Sequence, residues 1–254
     1  MQSTHRISLI FGHHPISNMH SAVSSRETRL ARRARSTSKM SAILGVALFV
    51  GLMWRADARP KMDPVLDSAI TEFVDAQNGD DALKEKSSRT LDALYADPAR
   101  SRDPLILVFC GAAKARLAET TILPWSKINH AEDGLALIDK ALQRLEAKDE
   151  TAESGFTPPA KEVRFVAASV YLIVPSALFH RDAQGNKLLD DLLATVDTDS
   201  TPKDFKAAIN VLAGQRAAKA GDKNKARAYF NKAIDYDSPQ EAADAKRELK
   251  ALDA

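Results

Sequence analysis

The chain of 254 residues has a single cysteine, Cys110, which excludes an intrachain disulfide framework and a cysteine-cluster metal site. Glycine is scarce, at ten residues, and aromatic residues make up 6% of the chain. That poverty disfavours a barrel, a sandwich or a Gly-rich nucleotide fold, and the abundant alanine favours helix. The sequence contains no HExxH, CxxC, GxSxG or Walker A pattern. Cys110 sits in an apolar run with no basic neighbour, the setting of a buried, inert thiol. The residue inventory therefore predicts no enzyme, no cofactor and no metal.

An excess of charge of one sign is also missing, once the chain is divided. The whole carries +2, but residues 1–58 hold eight basic and only two acidic residues. Residues 59–254 are left with 28 basic and 32 acidic residues, a net of −4, so the body lacks the basic footprint of a nucleic-acid binder. Long apolar runs are limited to one, the 14 residues Ser41–Trp54. A membrane-spanning helix needs roughly 20 apolar residues, whereas a run of this length suits the core of an export signal. It follows RLARRARSTSK and precedes Ala56-Asp57-Ala58, a small-x-small cleavage pattern, so cleavage is expected after Ala58. The long basic flank leaves open whether translation starts at Met1 or Met19. On this reading 1–58 is a signal peptide or anchor and 59–254 a folded body that is periplasmic or secreted. The alternative is an uncleaved anchor in the inner membrane with the body facing the periplasm.

What the body has is helical punctuation. Asp63-Pro64, Asp103-Pro104, Thr201-Pro202 and Ser238-Pro239 each place a capping side chain before a proline, and Ser238 with Glu241 has the spacing of a capping box. Gly221-Asp222 marks the end of one helix and the cap of the next. Between these marks Ala131, Leu135, Ile138, Leu142 and Leu145 step by three and four. Nine helices are predicted, near 63–77, 80–96, 103–119, 130–147, 159–180, 184–196, 203–220, 222–236 and 239–252. The stretch Val163–Phe179 is rich in β-branched residues, but Pro175 and the neighbouring pattern favour a buried, kinked helix over a strand.

Small residues recur. Val108-Phe109-Cys110-Gly111 and Val211-Leu212-Ala213-Gly214 match in character, with their glycines 103 residues apart. Glycine inside a helix costs stability, so a neighbouring helix is expected to approach closely there. Twelve residues after Gly214 comes Ala226, followed by Phe230, Ala233 and the helix-opening Pro239. Over about residues 207–240 the chain resembles a tetratricopeptide repeat. It departs at Asn210, Ala213 and Ala217, where that family prefers Trp, Leu and Tyr. Gly134, Ile138 and Ala141 repeat the second-helix pattern, but Gly134 follows Gly111 by 23 residues rather than 12. The resemblance implies an all-α, antiparallel helix-pair solenoid of four pairs and a terminal capping helix.

Two surfaces then become candidates. The extra eleven residues fall around Thr120–His130 and carry Leu123, Pro124 and Trp125, predicted as an exposed recognition loop or as a plug between pairs. The resemblance also implies that the first helices of the pairs line a concave surface gripping a protein or peptide partner. Lys114, Arg164, Asn210 and Arg216 are its candidate contacts. The functional expectation is a non-enzymatic scaffold of the cell envelope, with no nucleic-acid partner and with membrane contact only through an uncleaved N-terminal segment. The alternatives are a membrane-anchored assembly subunit and an envelope enzyme without a local motif.

Overall fold

The computed structural model describes residues 63–76, 79–152, 157–198 and 201–253, so the expected export segment lies outside the described residues. Over these residues the chain is all-α. The helices are α1 (Pro64–Asp75), α2 (Asp81–Ala96), α3 (Pro104–Thr120), α4 (Pro124–Gln143), α5 (Pro159–Ile173), α6 (Ser176–Phe179), α7 (Asp182–Thr195), α8 (Lys203–Lys219), α9 (Lys223–Asp235) and α10 (Pro239–Leu252). A 3-10 turn, Ala147–Glu150, precedes α5. No helix among the described residues is long and apolar enough to cross a membrane.

The starts of these helices follow from their caps. Asp63 accepts from the Val65 amide at 2.9 Å, Asp103 from Leu105 at 2.8 Å, and Asp222 from Lys225 at 3.0 Å. Each supplies an acceptor to an amide that has no partner within its helix. Gly221, at φ +83°, makes the left-handed turn that ends α8. Two expected caps differ. Pro202 takes the cap position of α8, so Thr201 stands one residue too early and bonds instead with Thr198 and Lys161. Ser238 does occupy the cap of α10, but its hydroxyl donates to the Glu241 carboxylate and caps no amide. Glu241 is 2% exposed, and a carboxylate buried that deeply needs a donor more than the helix end does.

Successive helices pack in pairs: α1 with α2, α3 with α4, α5 with α7, and α8 with α9, with α10 lying against both members of the last pair. The first helices of the pairs also touch one another in order, α1 to α3 to α5 to α8 to α10. Each second helix contacts the first helix that follows it. A central first helix is thus surrounded by neighbours, and its apolar stripe widens to a full circumference. In α3 every residue from Leu105 to Ala113 is buried. The main core runs from Leu66 in α1 to Ala213 in α8, and a smaller one joins α8, α9 and α10 around Val211, Phe230 and Ala245.

Two boundaries correct the sequence reading. The fourth helix starts at Pro124 and not near 130. The expected recognition loop is therefore only Thr121–Leu123, and the rest of Thr120–His130 is helical. The fifth helix is broken rather than kinked. Val174, the residue before Pro175, adopts ψ 144°, the extended conformation that proline imposes on its predecessor. One further turn, α6, closes on His180 in the left-handed region at φ 53°.

Candidate functional site

The small residues mark close helix crossings. A Cβ built on Gly134 would lie 2.5 Å from the Gly111 carbonyl oxygen and 2.6 Å from the Ala115 amide nitrogen. One on Gly111 would lie 2.6 Å from the Gly134 oxygen and 2.8 Å from Ile138. The backbones of α3 and α4 are in mutual contact there, which no side chain permits. At Gly214 a Cβ would collide with the Phe230 ring, with Cδ1 at 2.6 Å. Ile138, Ala141, Ala226, Phe230 and Ala233 are each 0% exposed, and all face these crossings or the cores beside them. Ile138 and Phe230 meet equivalent glycines in the two pairs.

The eleven extra residues between these crossings lengthen helices. Nine residues of α3 follow Gly111, against five of α8 after Gly214. Ten residues of α4 precede Gly134, against three of α9 before Ala226. The connections themselves are equal, Thr121–Leu123 and Ala220–Asp222. The α3–α4 hairpin consequently runs one to two turns further past its crossing, and its tip carries apolar side chains into solvent. Ile122 is 91% exposed, Trp125 62% and Leu123 43%, while Pro124 opens α4 at partial burial. Trp125 does not plug a gap between pairs. Ile122, the most exposed of the group, was not singled out by the sequence reading, although its place in the apolar run Ile-Leu-Pro-Trp was a signal.

The first-helix cations are engaged internally. Lys114 reaches Asp92 of α2 at 2.9 Å, and Arg216 reaches Asp190 of α7 at 2.6 Å. Arg164 donates to both Glu150 carboxylate oxygens, in the 3-10 turn, from its two terminal guanidinium nitrogens, which holds the Glu150 carboxyl below its ordinary range. The acids lie 14 to 26 positions from their partners, so no local pattern announces them. Asn210 corrects an expectation. It is 0% exposed, its amide donating to the Lys206 carbonyl, because α8 is enclosed by its neighbours; it faces no open groove.

The chemistry elsewhere is that of structural ties. The Cys110 thiol donates to Asp92, and burial with that bond pushes it above its ordinary range, which disfavours the thiolate. Asp139 accepts from both Tyr171 and Arg181, and the Arg181 guanidinium stands 5.4 Å from the centre of the Tyr171 ring, joining α4, α5 and the start of α7. A cleft of about 510 Å³ lies at the opposite end of the helices from the α3–α4 tip, lined by residues that include Asp63, Arg102, Asp103, Arg144 and Asp149. Asp103 and Asp149 each accept a backbone amide, and Asp63 is paired with Arg100 as well. Among the described residues no group of three His, Cys, Asp or Glu side chains could hold a metal ion. Compared with protein-family models, with curated proteins and with solved structures, the chain matches none.

Proposed function

We propose that this chain is an exported, non-enzymatic helical-repeat scaffold that holds a protein or peptide partner in the cell envelope. The observation that carries this reading is one packing unit found in two of the four pairs: a mid-helix glycine on a first helix set against Ile138 or Phe230 on the second. Recurring helix pairs that bury a continuous core build an extended wall, and such walls serve binding. The tetratricopeptide-like residues 207–240 support it, since Gly214 meets Phe230, Ala226 and Ala233 share one buried cluster with Phe230, and Pro239 opens the next helix.

The contacts available to a partner are Lys114, Arg164 and Arg216, one on each of three successive first helices. Their acids Asp92, Glu150 and Asp190 are 39%, 45% and 63% exposed. Lys114, Arg164 and Arg216 are themselves 27%, 30% and 17% exposed, so carboxylates of an acidic peptide would reach them at the exposed side of each pair, in competition with the acid already there. The test is capture from envelope extract by the full chain, compared with a Lys114→Met, Arg164→Met, Arg216→Met variant. Loss of the captured protein with unchanged helicity supports the reading, and identical capture contradicts it. The mass of the chain recovered from the envelope tests export, which predicts loss of residues 1–58.

A further inference from the structure

We propose that the tip of the α3–α4 hairpin seats in the interface of a lipid bilayer. Ile122, Leu123 and Trp125 present apolar surface on a projecting end, and Leu83, 44% exposed, joins them. The Lys84–Glu119 ion pair, at 3.2 Å, holds the start of α2 against the end of α3 and so brings Leu83 to this end.

The size and shape of the patch select the occupant. The exposed side chains at this end offer on the order of a few hundred Å² of apolar surface. A stable protein interface takes about 800 Å² from each partner. A bilayer imposes no such minimum and no complementary shape, because each side chain that enters contributes by itself. Trp125 is the residue suited to that depth, with an apolar ring and an N–H that can stay with headgroups.

Charge points the same way. From Thr120 to Ala131 the chain has no carboxylate, and Lys127 is its one formal charge. Lys127 has no ion pair among the described residues and can meet an anionic headgroup. On the neighbouring elements Glu119 and Asp81 share Lys84 and Asp80 accepts from the Leu83 amide, and the next acids along α4 are Glu132 and Asp133, about two turns from Trp125. Within the turn the Thr121 hydroxyl accepts from the Leu123 amide at 3.2 Å, and the uncapped first amides of α4 require a depth at which headgroups and water still reach them.

The test uses the full chain with Trp54→Phe, which leaves Trp125 as the single tryptophan. Vesicles of phosphatidylcholine and phosphatidylglycerol carry bromine on their acyl chains. Trp125 emission is expected to shift to the blue and to lose most of its intensity on these vesicles. The double substitution Ile122→Asp, Leu123→Asp is expected to abolish both effects, with circular dichroism unchanged because both side chains are exposed. This readout reports on the tip alone, whatever residues 41–54 do with the vesicle. Emission that vesicles leave unmoved, or quenching that survives the double substitution, overturns the proposal. So does a shift produced only by added envelope protein and not by lipid.

Discussion

The α3–α4 and α8–α9 pairs share one design and solve it differently. In α3–α4 glycine meets glycine, and the contact is backbone against backbone. In α8–α9 glycine meets an aromatic ring, and the contact is backbone against side chain. A side chain can turn aside when crowded, whereas a backbone can only move with its helix. The first pair is therefore the joint less tolerant of an added side chain, and it is the one that carries the long exposed tip. The second pair is shorter and is covered by α10.

The largest effect expected from breaking this comparison is at Gly134. Helix propensity alone says that Gly134→Ala stabilises by about 1 kcal/mol. The Gly111 carbonyl 2.5 Å from the new Cβ says the reverse, a net loss of about 3 kcal/mol through forced separation of α3 and α4. Urea unfolding decides the sign, and a stabilised variant removes the claim of a backbone crossing. Gly214→Ala should cost less, about 1 kcal/mol, because Phe230 can shift. Pairing it with Phe230→Leu should recover most of that loss, whereas no recovery would mean that the ring is not the obstacle.

How far the sequence announced all this depends on the packing around each helix. Capped starts such as Asp103-Pro104 were legible because a cap is local chemistry. The glycine crossings were legible because glycine inside a helix is unfavourable without a reason. The start of α4 was not. Pro124 read as part of a loop, and the chain gives α4 no side-chain cap. The enclosed helices α3 and α8 hid their inward faces for another reason: with neighbours all round, apolar residues lose their three-to-four spacing. For the same reason Asn210 looked like a surface residue. The acids that hold Lys114, Arg164 and Arg216 come from other elements, and pairings of that range leave no trace in spacing.

A smaller effect sharpens the contrast through α10, which the α3–α4 pair lacks. Burial raises the Glu241 carboxyl above its ordinary range, with Asp204 adding to the rise. Folding then favours the protonated form. The penalty is absent below the ordinary carboxylate range and grows as pH rises from there to the raised value. Glu241→Gln should therefore be more stable than the parent at pH 7, with the gain shrinking toward pH 4. Urea midpoints at the two values check it, and a pH-independent difference contradicts the assignment. Smallest of all is Trp125→Ala. At 62% exposure it should move stability by no more than about 0.5 kcal/mol, and a large drop in melting temperature would restore the plug.

Amide hydrogen exchange across Ile128–His130 bears most directly on the extension of α4. These amides should be protected to nearly the same degree as those around Ile138, as the first turns of one continuous α4 require. Exchange as rapid as that of Thr121 and Ile122 would make the segment a loop after all and remove the helical extension from the account.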